Sequence, residues 1–162
     1  MAAMQPSPAQ AIPYVALFIA VAVAAVGVLV LLFISRLGGW TLLARRFAAR
    51  EEFYGQTWGW QSAQFRCWCN YNHCLTIGAN EQYLYLSVQV PFRLGHPNLL
   101  IPWHEIEVET GKYFFGFYDM AKLRVGIQER VTIRVFGATV DHLRQGAGPG
   151  WPLYVIEQMQ GR

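Results

Sequence analysis

The densest set of metal-capable side chains is Cys67-Trp68-Cys69-Asn70-Tyr71-Asn72-His73-Cys74, where three thiols and one imidazole fall within eight residues. Thiolate sulfur and imidazole nitrogen are the donors a tetrahedral zinc site uses. On a strand Cys67 and Cys69 share a face, and His73-Cys74 would return from a turn. Structural zinc sites, however, present two separated pairs with about two to four residues inside each. The spacing here does not match, so Cys67, Cys69, His73 and Cys74 read better as reduced thiols and a histidine in and beside a strand pairing. No metal and no cofactor is expected. A cytoplasmic compartment suits three unpaired thiols; an oxidising one would give a Cys69–Cys74 or Cys67–Cys74 bridge and one spare thiol.

Other chemistry-bearing residues are scattered. The stretch HEIEVE, His104 to Glu109, has Val at position 108, where a helical zinc-protease motif needs its second His. Alternation makes it a strand instead, with His104, Ile106 and Val108 on one face and Glu105, Glu107 and Glu109 on a solvated acidic face. Asp141 and His142 are adjacent, so on a strand their side chains diverge. There is no GxSxG, no phosphate-cradling glycine loop and no dinucleotide fingerprint. With no paired base and nucleophile, neither an enzyme nor a small-molecule substrate is expected. The run Tyr113-Phe114-Phe115-Gly116-Phe117-Tyr118 is different in kind. Adjacent residues of a strand point to opposite faces, so both faces would be apolar and one must be covered by a helix, lipid or protein. Tyr113, Phe114, Phe115, Phe117 and Tyr118 are therefore a candidate docking surface. Arginines do not gather around these rings, and nucleic acid is not an expected partner.

The elements that must position these residues begin with a membrane segment. Residues Ile12 to Ile34 run without a charged side chain. About 20 apolar residues at 1.5 Å each cross a hydrocarbon core of about 30 Å, so this segment, 12–34, is a transmembrane helix by length and composition. A cleaved leader would have a basic start and a shorter apolar core; residues 1–11 carry no Lys or Arg, so a retained anchor is expected. Basic residues follow the span at Arg36, Arg45, Arg46 and Arg50 and are missing before it. By the positive-inside rule the short N-terminus, 1–11, lies outside and the rest in the cytoplasm, across a bacterial inner membrane. Within the span Ala16, Ala20, Ala24 and Gly27 recur at helical spacing and make a face where another helix could approach closely.

Residues 35–56 form the juxtamembrane linker. Gly38-Gly39 breaks the helix, and Trp40, Leu43 and Phe47 then share a face away from most of the arginine. That pattern predicts a short helix on the lipid surface, with Arg36, Trp40, Arg45, Arg46 and Arg50 as membrane-interface residues. A linker helix packed on the following domain is the competing arrangement.

From about residue 57 the apolar period becomes two. Leu84, Leu86, Val88 and Val90 alternate with Tyr83, Tyr85, Ser87 and Gln89, and the stretches around Leu123 to Val135 repeat the pattern. Turns are expected at Asn80-Glu81, Gly111-Lys112 and Gln128-Glu129-Arg130, which argues an antiparallel sheet. A closing helix is expected after Gly146 to Gly150, with Pro152, Val155, Ile156 and Met159 on one face. The fold class is thus mainly β behind one transmembrane helix, with residues 57–162 as one soluble domain.

The order of strands, then Leu99-Leu100-Ile101-Pro102-Trp103-His104-Glu105-Ile106, then more strands and a closing helix resembles bacterial pleckstrin-homology-like domains. The resemblance covers Trp58 to the C-terminus and implies a small bent antiparallel sheet, a partly open barrel capped by a helix. It does not carry over lipid-headgroup binding. The matching segment, CWCNYNHC, has no Lys or Arg to pair with phosphates. The expected role is a non-catalytic, single-span accessory subunit, with integral-membrane protein subunits and the lipid bilayer as partners. Energy-transducing complexes, respiratory or photosynthetic, are natural hosts for such subunits. A free-standing, membrane-tethered module that binds lipid, peptide or a small ligand is the alternative.

Overall fold

A long apolar helix leads the chain. The computed structural model describes residues 8–66, 69–113, 115–126 and 128–152. Helix α1 (Pro8–Leu37) contains the 26-residue stretch Ile12–Leu37, within which an 18-residue window reaches a mean hydropathy of 3.2 with none of it buried. It is long and apolar enough to cross a membrane. Gly38 and Gly39 end it. Gly39 takes φ 83°, and a Cβ there would lie 3.0 Å from side-chain atoms of Val131 and Arg66, so only glycine fits this sharp turn.

Seven antiparallel strands follow: β1 (Gln56–Phe65), β2 (Cys69–Ala79), β3 (Tyr83–Val88), β4 (Leu99–Pro102), β5 (Ile106–Tyr113), β6 (Tyr118–Val125) and β7 (Val131–Phe136). Their order is β4-β3-β2-β1-β7-β6-β5. Edge strands β4 and β5 are joined only by the 3-10 turn Trp103–Glu105. Three residues span at most about 10 Å, so the sheet must curl until its two edges nearly meet. Strand β1 makes the bend: its register with β2 shifts between Trp58 and Gln61 and again before Ala63, and Trp60 takes φ 57°. The result is a curled half-barrel. Its inward residues, among them Phe65, Ile77, Leu86, Ile101, Leu123 and Ile133, are fully buried.

Two helices close the half-barrel. The sequence pattern turns the apolar face of helix α2 (Trp40–Phe47) toward lipid. Trp40, Leu43 and Phe47 are buried in the sheet's core instead. The expected face is correct, but protein covers it: the Trp40 ring lies 5.3 Å from Phe65 and 5.7 Å from Tyr71, and its Nε1 donates to the Pro97 carbonyl at 2.9 Å. A buried indole needs that acceptor, which an open bilayer surface does not fix in place. Helix α3 (Ala138–Ala147) buries Thr139, Val140, Leu143 and Ala147 against the sheet.

Helix α3 precedes Gly148–Gly150; Val155, Ile156 and Met159 of the helix expected after them lie outside the described residues. Gly111 and Lys112 are not a turn either. They pair with Met120 and Asp119 inside the β5–β6 ladder, and Lys112 bonds Asp119 at 2.7 Å. Strand β3 ends at Val88, so Val90 is not on its inner face.

If α2 is a core element, Trp40→Ala lowers the unfolding free energy of the detergent-solubilised chain by about 3–5 kcal/mol. Arg45→Ala, on the exposed face, changes it by less than about 0.5 kcal/mol. Guanidinium titration followed by circular dichroism reads both. Near-equal small effects would place α2 back on the membrane surface.

Candidate functional site

The described members of the cysteine–histidine cluster lie along one strand. His73 and Cys74 do not return from a turn but continue β2, which begins at Cys69. His73 has φ 51°, and its N–H donates to Ser62 Oγ at 2.9 Å, where the β1–β2 register is irregular. Cys69 and Cys74 are free thiols, and burial pushes both pKa values up, which disfavours the thiolate a metal or nucleophile needs. Cys67 lies outside the described residues. Among the described residues no group of three or more His, Cys, Asp or Glu side chains gathers for a metal.

The acidic residues of HEIEVE are matched by cations, with Glu107 exposed as expected and Glu105 and Glu109 partly buried. Arg46 Nη2 donates to Glu105 at 2.5 Å, and its other nitrogen lies 3.7 Å from Glu129. Lys122 bonds Glu109 at 2.9 Å and Arg124 reaches the same carboxylate at 2.6 Å, with Glu107 at 3.8 Å. The Lys122 hydrogen bond holds the Glu109 carboxyl below its ordinary pKa. His104 is exposed in the 3-10 turn, not on the strand. Asp141 and His142 sit on α3, where His142 stacks flat on Trp58 at 4.9 Å.

The aromatic run is not a strand crossing the sheet but a hairpin tip. Tyr113 pairs with Tyr118 as the last rung of β5–β6, and positive φ at Phe115 and Gly116 turns the chain back. Phe115, Phe117 and Tyr118 are exposed, and Phe114 lies outside the described residues. Seven strand steps of about 3.4 Å put this tip about 24 Å from Val125 at the other end of β6. Val125 pairs with Val131, which packs on Gly39. The tip is thus remote from the attachment of α1.

That attachment is the most organised polar site. Ser35, fully buried at the end of α1, donates to the Gly95 carbonyl at 2.6 Å and lies 3.1 Å from Thr41 Oγ1. Arg66 donates to the Leu37 carbonyl at 3.2 Å, satisfying the helix C-terminus with a cation. Next to Gly95, His96 is buried between Trp40 and Tyr71 at ring distances of 5.3 and 5.6 Å. Its Nδ1 lies 3.0 Å from the Leu94 carbonyl and its Nε2 lies 2.9 Å from Tyr71 Oη. The carbonyl only accepts, so Nδ1 carries the proton and the Tyr71 hydroxyl donates to Nε2. Burial lowers the His96 pKa and raises that of Tyr71 well above its ordinary value, so both stay neutral. A neutral, fully bonded pair holds structure and is not poised for acid–base work. Sequence reasoning missed this latch because Ser35, Tyr71 and His96 are far apart in the chain; its one local signal is a histidine set between Gly95 and Pro97.

Among the predicted interface residues, Arg36, Arg45 and Arg50 are exposed, while Trp40 is core and Arg46 is engaged by Glu105 and Glu129. Ala16, Ala20, Ala24 and Gly27 are exposed along α1. A surface cleft of about 600 Å³ lies beyond α2, lined by Arg50, Glu52, Phe53, Thr57, Thr76 and Tyr85.

The class these features define is a half-barrel β domain fastened to the end of an apolar helix. Compared with what is known, the chain matches no protein-family model, no curated protein and no solved structure.

One measurement tests the latch and a second the Arg46 ion pairs. An unfolded histidine titrates near pH 6.5, about the value for a free side chain. The folded value of His96 is lower, so the unfolded chain binds the proton more readily. Stability is therefore full above about pH 6.5 and is lost as pH falls toward the folded value. His96→Gln flattens that part of the melting-temperature profile; an unchanged slope in the variant would refute the assignment. Arg46→Ala leaves Glu105 and Glu129 without their cation and lowers stability by about 1–2 kcal/mol, read by the same denaturation.

Proposed function

We propose that the chain is a non-catalytic, single-span accessory subunit of a larger integral-membrane assembly. The observation that carries this reading is that helix and domain each leave apolar surface uncovered by the chain's own fold. On α1, Ala16, Ala20, Ala24 and Gly27 form one exposed small-residue face, and nothing lies within 4 Å of a Cβ placed at Gly27. A neighbouring transmembrane helix could pack closely there. On the domain, Phe117 at the hairpin tip is 77% exposed, beside the exposed Phe115 and Tyr118. Exposed aromatics on a short, strand-anchored tip suit a protein surface that receives them as anchors.

On this reading the subunit adds buried area and fixes orientation between a partner's membrane helices and its surface domain. Exposed Arg36, Arg45 and Arg50 support a cytoplasmic domain at a bacterial inner membrane, with the N-terminus outside. We read the domain as pleckstrin-homology-like; support comes from the curled seven-strand order and the helix α3 that follows its last strand. A second reading, a membrane-tethered binding module, draws on the cleft of about 600 Å³ whose lining mixes Arg50 and Glu52 with Thr57, Thr76 and Tyr85.

Mild-detergent extraction and size separation distinguish the two readings. An accessory subunit travels with a large complex, and Ala20→Leu with Ala24→Leu releases it while membrane insertion stays intact. Phe117→Ser weakens the same association without altering the fold. A native chain that runs alone would leave the tethered module as the better reading.

A further inference from the structure

We propose that the loop between β3 and β4 enters the same membrane leaflet as the end of α1, giving the domain a second anchor in lipid. The proposal rests on the reading of α1 as a membrane span. Three apolar side chains project from this loop within five residues: Val90 is 80% exposed, Phe92 48% and Leu94 54%. Loops that face water are ordinarily polar, and such a patch on a loop marks a contact. Its position identifies the contact.

The loop is fastened to α1 itself. A Cβ at Gly95 would lie 2.7 Å from Leu32 Cδ2, so loop backbone and span touch at Leu32. Ser35 Oγ holds the Gly95 carbonyl at 2.6 Å, and the following residue, His96, is buried in the domain core. Counting about 20 residues at 1.5 Å each from Ile12, the hydrocarbon core ends near Leu32. The loop therefore sits at the boundary between acyl chains and headgroups. Arg36, one helical turn past Leu32, and Arg93, set between Phe92 and Leu94, are both exposed and fall in the phosphate band. Apolar side chains flanking an arginine at this depth match a lipid interface: acyl chains take Phe92 and Leu94, and phosphate takes Arg93. A single span leaves the molecule free to tilt in the bilayer. A lateral second contact restrains that tilt and sets the height above the membrane at which the hairpin tip is presented.

The test uses the full chain in vesicles of phosphatidylcholine and phosphatidylglycerol, with a genetically encoded environment-sensitive fluorophore at one position per sample. Lipids brominated on the acyl chains quench from within the bilayer, and iodide quenches from water. At position 92 the expected result is loss of fluorescence to brominated lipid and protection from iodide, as at position 29 in the span. Position 145 on α3 shows the reverse. With the fluorophore at position 90, Phe92→Asp and Leu94→Asp together abolish the lipid quenching. Lipid quenching at position 29 with iodide quenching at 92 would overturn the loop proposal and leave the span standing. Protection of position 92 from both quenchers would overturn it in favour of a protein cover, such as a second copy. No lipid quenching at position 29 would remove the span reading and this proposal with it.

Discussion

Burial of the Trp40 indole sets the distance between the apolar helix and the β domain. Helix α1 ends at Leu37, two glycines follow, and the next side chain is already in the core. There is no linker for the domain to swing on. Gly39 turns the chain within the space left by Val131 and Arg66, and α2 then plugs the open end of the half-barrel. The sheet needs that plug. Its edges are brought together by the short turn Trp103–Glu105, and a curled sheet with an uncovered end would expose Phe65, Tyr71 and Leu99 to water. The segment that follows the apolar helix is thus also part of the domain's core.

This coupling gives the polar contacts at the junction their meaning. Ser35, Thr41, Tyr71 and His96 tie the last turn of α1, the first turn of α2, strand β2 and the β3–β4 loop into one body. Each hydrogen bond contributes only about 1 kcal/mol net, but leaving any of these buried groups without a partner costs more than the bond contributes. The arginine of α2 behaves alike. Arg46 stands between carboxylates from two different turns, so the helix is fastened at its second end as well as at Trp40.

How much of this was legible follows from what each signal encodes. Alternation reports which residues share a face, and the faces of β3, β6 and β7 read correctly, with Leu84, Leu86, Leu123, Ile133 and Val135 inside. The Asn80 turn was legible because its cause is local: Asn80 Oδ1 accepts the N–H groups of Gln82 and Tyr83. Helix α3 was not, because its buried face rests on Thr139, Val140, Leu143 and Ala147, a weak apolar stripe that only the sheet beneath makes decisive. Strand β5 runs through Gly111 and Lys112 because β6 supplies partners for them, which no local pattern records. Amphipathicity located the inner face of α2 and was silent on what covers it. Proximity in sequence is likewise not convergence in space: one strand carries Cys69, His73 and Cys74 in succession.

The electrostatics of the junction complete the argument. Leu32, four residues from the arginine at position 36, touches the loop that holds His96, so the latch sits at the edge of a low-dielectric layer if α1 spans a membrane. A charge buried there would face a desolvation penalty that water cannot relieve. The structure avoids one by chemistry available to neutral groups. The phenol donates, the imidazole accepts on one nitrogen and donates on the other, and the serine hydroxyl closes on a carbonyl. Formal charge is displaced outward, to Arg36, Arg45 and Arg93, which are exposed. If α1 spans a membrane, an uncharged interior ringed by cations leaves that ring free to meet phosphate.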